Sequence, residues 1–203
     1  MNSVSLNNEN KGLVNARMLI LVLFIVSIVM VFAGLTSAYI VRRAEGNWLE
    51  FNLPDMFKLS TLVILVSSAT LIISQFLLKK GRIGQVRLLI GLSFILGLMF
   101  LVFQYQSWVE IYNYELVPGP DGQLFGIVFG GRYANPSGSF LYVLSGLHFV
   151  HIIGGLIFVG VVLAMSFRNN VESLKRWLEM CSIFWHFLGA LWIYLYVFLI
   201  VYH

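Results

Sequence analysis

Long, nearly unbroken apolar runs dominate the chain, and polar residues are concentrated in the short segments between them. A helix needs roughly 20 apolar residues to cross about 30 Å of hydrocarbon. Five runs reach that length, at about 17–41, 58–78, 86–108, 139–165 and 177–202. Because unpaired backbone groups are costly in lipid, each run is predicted to be helical. The pattern therefore predicts an all-α integral membrane bundle of five transmembrane helices.

The segments outside these runs indicate one membrane domain. Residues 1–16 are mostly polar and are predicted to form a cytoplasmic N-terminal segment, followed by a single five-helix domain over 17–203. The first run is too long for the core of a signal peptide, so we expect an uncleaved first span. The longest connection, about 109–138, is rich in Gly, Pro and Asn and predicts turns and coil.

Basic residues predict the orientation of the bundle, because cytoplasmic loops of membrane proteins carry an excess of Lys and Arg. With five spans, nine basic residues share one side of the membrane: Lys11, Arg17, Lys79, Lys80, Arg82, Arg87, Arg168, Lys175 and Arg176. The other side holds four: Arg42, Arg43, Lys58 and Arg132. The N-terminus is therefore predicted to be cytoplasmic and the C-terminus external.

Composition agrees with a membrane protein and argues against other classes. Of 203 residues, 59% are hydrophobic and only 11% are charged, more apolar surface than a soluble domain buries. The net charge of +4 is not gathered into a basic block with interleaved aromatics, so we expect no nucleic-acid partner. Cys181 is the single cysteine, which excludes an internal disulfide and a thiolate metal cluster.

Small and polar residues recur at helical spacing within each run and predict the faces that pack, because helices in lipid associate through such residues. The predicted stripes are Ser27, Gly34 and Ser37; Ser60, Ser67, Thr70 and Ser74; Gly97 and Gln104; Ser145, His148, His151 and Gly155; and Ser182, His186 and Gly189. We therefore expect the histidines of the fourth and fifth runs to face protein rather than lipid.

The histidines are the candidate chemistry of the chain. His148 and His151 lie on one helix face, so a bis-histidine haem would need a ligand from another helix, and His186 lies at a comparable depth by a rise of about 1.5 Å per residue. No Cys-x-x-Cys-His, Glu-x-x-His or carboxylate deep within a span completes a metal shell. Three interpretations stay open: structural hydrogen-bonding histidines, which we favour, haem or metal ligands, and groups of a proton or substrate path.

Three ordered segments match the sequence pattern of a known membrane-protein family. In "SGLHFVHIIGG", His148, His151 and Gly154 fall on two histidines and a glycine of that family. The segment "FWHFLGALWIYLYV", 184–197, is similar to its last helix, and "IVSIVMVFAGLTSAY", 25–39, to an earlier one. The matching residues there are Trp185, His186, Phe187, Trp192 and Tyr196, and Ser27, Met30, Phe32, Leu35 and Tyr39. By these residues the chain resembles subunit III of the haem–copper oxidases. The resemblance runs from about residue 15 to the end and fits the short five-helix form of that family.

The resemblance implies an accessory subunit in the inner membrane of a bacterium, within a complex that passes electrons from cytochrome c or quinol to oxygen and pumps protons. Haems and copper would belong to partner subunits I and II, and this chain would hold phospholipid and stabilise subunit I. We expect no catalytic, cofactor or metal residue in it. The expected bundle, lipid-cleft or subunit contacts are His148, His151, His186, Trp185, Trp192, Gly154, Ser27 and Tyr39.

Departures from the family pattern keep alternatives open. Ile28 stands where the family has an intramembrane Glu, Gly189 where it has an Asp, and Phe149 where it has a Gly between the histidines. A divergent subunit III that works beside a second subunit III-like chain would fit these changes. The alternatives are a membrane cytochrome b-type anchor that binds haem through His151 and His186, and a membrane scaffold unrelated to oxidases.

Overall fold

The described part of the chain consists of five long helices and one very short strand pair. The structure, a computed structural model, describes residues 2–46, 48, 53–113, 117–118, 124–125, 129, 134–168 and 170–202. The helices are α1 (Asn2–Ala44), α2 (Met56–Lys79), α3 (Ile83–Tyr112), α4 (Pro136–Ser166) and α5 (Val171–Tyr202). Between α3 and α4, β1 (Val117–Pro118) pairs antiparallel with β2 (Leu124–Phe125).

Each predicted run lies within one helix, and all five helices are long and apolar enough to cross a membrane. The all-α prediction is confirmed, although the helices extend beyond most of the predicted ends. α4 begins at Pro136, where the side chain of Asn135 accepts a hydrogen bond from the backbone N–H of Ser137 at 3.0 Å. Such a cap together with a proline in the first turn is a typical start of a helix, and it precedes the apolar run by a few residues.

Contacts between helix ends bring most of the basic residues together. Arg17 lies 5.7 Å from the ring of Trp177 at the start of α5, and the Nε of Arg87 donates to the carbonyl of Ser166 at the end of α4. These contacts place the starts of α3 and α5, and the start of the membrane segment of α1 at Ala16, beside the end of α4. We call this end of the bundle the basic end. Successive helices therefore run in opposite directions across the bundle, as the count of basic residues on each side assumed. The assignment of the basic end to the cytoplasm stays a prediction. Arg132 and the side chain of Lys11 lie outside the described residues.

Helices α2 and α3 pack along a regular seam. The buried positions of α2 include 57, 60, 64, 67, 71, 74 and 78, and those of α3 are 86, 90, 93, 97, 100, 104, 107 and 111. This alternation of three and four residues is the spacing of a left-handed coiled coil. Serine occupies every second buried position of that series in α2, at Ser60, Ser67 and Ser74. Small side chains let the two backbones approach closely, so the stripes predicted for these two runs are confirmed.

Trp185 of α5 connects three neighbouring helices in the core. Its indole N–H donates to the hydroxyl of Ser67 on α2 at 3.1 Å. A Cβ on Gly97 of α3 would lie 2.7 Å from the ring, and one on Gly155 of α4 would lie 3.2 Å from it. The two glycines therefore provide the space in which the indole packs, and Ser67 satisfies its only polar atom.

The packing face predicted for the first run is wrong. Ser27, Gly34 and Ser37 are exposed on α1, and the residues buried against the rest of the bundle include Ile28 and Phe32. Within the described part of the chain α1 packs against α4 and α5 alone, and it does so mostly through large side chains, with Thr36 accepting a hydrogen bond from the hydroxyl of Tyr194 on α5. Small residues mark a close helix contact only where a second helix covers them, and here the small face of α1 points away from the bundle.

Candidate functional site

His148 is enclosed by aromatic rings in the middle of the bundle. It is 0% exposed, with the ring of Trp192 stacked at 5.3 Å and those of Phe100 and Phe32 edge-on at 6.0 and 6.4 Å. Neither ring nitrogen has a hydrogen-bond partner in the described chain. The expectation that this histidine is hydrogen-bonded is therefore wrong, and its role in the structure is packing between α1, α3 and α5.

A polar side chain close to His148 in sequence is already engaged in other hydrogen bonds. The hydroxyl of Ser145, one turn earlier on α4, donates to the carbonyl of Leu141 at 2.6 Å. The same oxygen accepts the indole N–H of Trp108 at 3.0 Å. Because Trp108 is buried only in part and comes from another helix, its competition for Ser145 is not visible in the sequence of the fourth run.

His151 lies one turn further along α4 and is half-buried. Its Nδ1 donates to the backbone carbonyl of Leu147 at 2.7 Å, since a carbonyl oxygen can only accept. In the neutral ring this fixes the other nitrogen, Nε2, as an acceptor, and Nε2 has no hydrogen-bond partner in the described chain. The ring is flanked by Phe32 at 5.9 Å and Phe24 at 6.5 Å, both on α1.

His186, Tyr39 and Ser27 lie in three different parts of the structure. Nε2 of His186 lies 3.0 Å from the hydroxyl of Ser182, on the same helix. The two histidines of the haem-anchor alternative are thus each hydrogen-bonded within their own helix. Tyr39 lies at the end of the bundle opposite the basic end, where its hydroxyl donates to the carbonyl of Tyr202 at 3.2 Å. Ser27, which donates to Leu23, is exposed on the outer face of α1.

A groove of about 540 Å³ runs between α1, α4 and α5. Its walls are formed by Arg17, Ile20, Leu21 and Phe24 of α1, Val150, His151, Gly154 and Phe158 of α4, and Trp177, Met180 and Phe184 of α5. The surface is almost entirely apolar. Its polar side chains are Arg17 and Trp177 at the basic end and His151 further in, so the groove has the shape and lining of a site for an amphiphilic molecule.

The sequence predicted two residues of this groove, His151 and Gly154, without predicting the groove itself. Gly154 follows His151 by three residues, and a Cβ at that position would meet nothing within 4 Å. The two therefore border the same open space. The α1 wall of the groove was missed because Arg17 and Phe24 belong to no recognisable motif. The distance between α1 and its neighbours depends on side-chain packing, which the periodicity of the sequence does not encode.

Within the described residues, no three His, Cys, Asp or Glu side chains form a group that could hold a metal ion.

Comparison with known proteins gives consistent results over most of the chain. No protein-family model matches it. The chain is 26% identical over 184 residues to cytochrome bo(3) ubiquinol oxidase subunit 3 of Buchnera aphidicola subsp. Baizongia pistaciae, covering 87% of this chain and 86% of that protein. It is 29% identical over 185 residues to cytochrome c oxidase subunit 3 of Corynebacterium diphtheriae, covering 87% and 83%. To the cytochrome bo(3) ubiquinol oxidase subunit 3 of Pseudomonas aeruginosa it is 28% identical over 153 residues, covering 75% and 65%.

Proposed function

We propose that the chain is a divergent member of the subunit III family of haem–copper oxidases and an accessory subunit without its own cofactor. Its partners in the complex are subunits I and II, which carry the haems and copper. The complex passes electrons from cytochrome c or quinol to oxygen and pumps protons. The chain resides in the inner membrane of a bacterium with its N-terminus in the cytoplasm. The observation that carries this proposal is the match to two subunit 3 proteins over 87% of the chain, whose described part is a five-helix bundle.

The positions of the motif residues support an accessory role. Trp185 packs between Gly97 and Gly155, and His148 packs between aromatic rings. Tyr39 fastens α1 to the end of α5. These residues hold helices together, and a rigid bundle of this kind can stabilise a larger neighbour in the membrane.

Copurification tests the proposed partners. The tagged full-length chain is solubilised from native membranes in a mild detergent, and the eluate is analysed by mass spectrometry. We expect oxidase subunits I and II in the eluate, and their absence would overturn the proposal. A different tagged multi-span protein from the same membrane is the control for nonspecific capture.

An optical spectrum tests whether this chain itself carries haem. We expect the haem bands of the eluate to follow the amount of subunit I and to be unchanged by His151→Ala. A Soret band that stays with the chain after the other subunits are removed, and that disappears in His151→Ala, would establish the cytochrome b-type alternative. His186→Ala should act in the same way if that alternative is right.

Lipid binding in the groove is the second part of the proposal. The apolar walls suit a hydrocarbon chain, and Arg17 at the basic end suits an anionic headgroup. We expect Arg17→Gln to lower the amount of anionic phospholipid that copurifies with the chain. Arg42→Gln is the matched control, because Arg42 is on the same helix but at the opposite end, paired with Glu45 at 2.9 Å. Equal phospholipid content in both variants would show that Arg17 does not bind the headgroup.

A further inference from the structure

The deep part of the groove carries a hydrogen-bond acceptor that an ordinary acyl chain cannot use. His151 lies near the middle of α4, about 15 residues or roughly 22 Å from either helix end, and therefore near the middle of the membrane. Its Nδ1 is committed to Leu147, and Nε2 has no partner in the described chain. A phospholipid tail has no polar hydrogen at this depth and would leave Nε2 unpaired.

The space beside this acceptor is open and is bordered by aromatic rings. Gly154 contributes no side chain there, and an added Cβ would meet nothing within 4 Å. Phe24 lies 6.5 Å from the imidazole and 5.8 Å from Phe184 across the groove. Aromatic side chains prefer edge-to-face or offset contacts with another ring, so these walls favour a planar ring over a flexible chain.

From this arrangement we propose that the groove binds a long-chain phenol, with the phenolic O–H donating to Nε2 of His151 and the ring lying among Phe24, Phe184 and the space beside Gly154. The apolar chain of the ligand lies along Val150 and Phe158, which continue the α4 wall. Reduced isoprenoid quinones belong to this chemical class. The inference deepens the lipid-binding role proposed above and rests on it, and it concerns binding alone.

Two probes that differ in one hydrogen-bond donor test the proposal. The full-length chain is placed in phosphatidylcholine nanodiscs, and equilibrium binding of 4-dodecylphenol is compared with that of its methyl ether, 4-dodecylanisole. The ether has the same ring and chain but no O–H. Nanodiscs without protein give the background of partition into lipid. A hydrogen bond of ordinary strength predicts about tenfold tighter binding of the phenol. Equal affinity for the two probes would overturn the proposal.

Substitutions of groove residues test which of them produce the preference for the phenol over its methyl ether. His151→Phe keeps a ring but removes the acceptor, so the two probes should then bind equally. His151→Gln restores an acceptor and should recover part of the preference. Gly154→Leu leaves the imidazole intact but fills the space beside it, and it should weaken both probes. His186→Phe, outside the groove wall, is the control and should behave as the unaltered chain; a preference that survives His151→Phe would contradict the proposed contact.

The outcomes separate this inference from the function on which it rests. If neither probe binds above background and no phospholipid copurifies, the lipid role of the groove is wrong. Dodecanoic acid is measured as a third probe under the same conditions. If the ether and dodecanoic acid bind as tightly as the phenol, the groove is a general lipid site and only the inference fails. If dodecanoic acid alone depends on His151, a protonated carboxylic acid rather than a phenol is the ligand, which also overturns the proposal.

Discussion

At the scale of single residues, His148 shows how a buried polar side chain can be kept without a polar partner. Its ring is stacked on Trp192 and meets the edges of two phenylalanines, while both nitrogens remain unpaired in the described chain. A buried polar group without a partner costs roughly 1–3 kcal/mol, and its replacement by an apolar group of similar shape can be neutral or stabilising. The packing of the ring, not its hydrogen bonding, is then what the fold uses.

His148→Phe should therefore raise the free energy of unfolding by about 1 kcal/mol, because the phenyl ring keeps the aromatic contacts and removes the unpaired nitrogens. The measurement is thermal or denaturant unfolding of the chain in detergent micelles. His151→Phe is the matched control, since it removes a ring that does make a hydrogen bond, and it should lower stability. A loss of stability in His148→Phe would show that the imidazole has a polar role.

Ile28 provides a second prediction at this scale. It lies near the middle of the membrane segment of α1 and is 3% exposed, one turn before Phe32, whose ring contacts both His148 and His151. Ile28→Glu should destabilise the inserted chain by roughly 2.5–3.5 kcal/mol, the range that insertion scales give for a charged residue at a helix centre. Ile28→Leu is the control and should change the Tm little. An unchanged Tm in Ile28→Glu would mean that the carboxyl group finds a partner, and one of the two imidazoles would be the first candidate.

At the scale of the helices, glycine positions decide how closely α3, α4 and α5 approach. Gly97 and Gly155 face the same indole from opposite helices, and the tightest contact of an added Cβ on Gly97 would be 2.6 Å, to Leu156. Gly91 is on the same helix as Gly97, and an added Cβ there would meet nothing within 4 Å. One helix therefore offers two glycines with opposite surroundings.

Gly97→Ala should lower the free energy of unfolding by about 1–3 kcal/mol, because the extra methyl group forces Trp185 and Leu156 to shift in a packed core. Gly91→Ala should be neutral or slightly stabilising, because alanine favours the helix and nothing is displaced. Unfolding of both variants in the same detergent gives the comparison. Equal stability of the two would show that the indole moves aside at little cost.

The helices themselves could be predicted from the sequence because membrane thickness fixes their length and lipid requires their helicity. The seam between α2 and α3 was predictable too, since Ser60, Ser67 and Ser74 repeat every seven residues. The face of α1 was not, because Ser27 and Gly34 show where a helix could approach closely and not whether one does. The groove was missed for a related reason: its size depends on how far α1 stands from α4 and α5, which no local pattern records.

At the scale of the whole molecule, the charge distribution links the fold to its place in the membrane. The starts of α3, of α5 and of the membrane segment of α1 lie together with the end of α4, and this basic end carries most of the Lys and Arg residues. The opposite end is built from aromatic contacts, with Trp48 4.6 Å from the ring of Tyr39 and Phe140 5.7 Å from it. Such asymmetry is typical of a chain whose basic end remains in the cytoplasm.

Cysteine labelling tests this orientation, because Cys181 is the single cysteine and is buried. In a Cys181→Ala background, Lys80→Cys places a thiol at the basic end and Asn113→Cys places one at the opposite end, both at exposed positions. With nine basic residues on one side against four on the other, we expect a membrane-impermeant maleimide added to intact spheroplasts to label Asn113→Cys and to leave Lys80→Cys unlabelled until the membrane is permeabilised. The reverse pattern would place the basic end outside. Arg17 and the mouth of the groove would then face the outer leaflet, and a headgroup bound there would come from that leaflet.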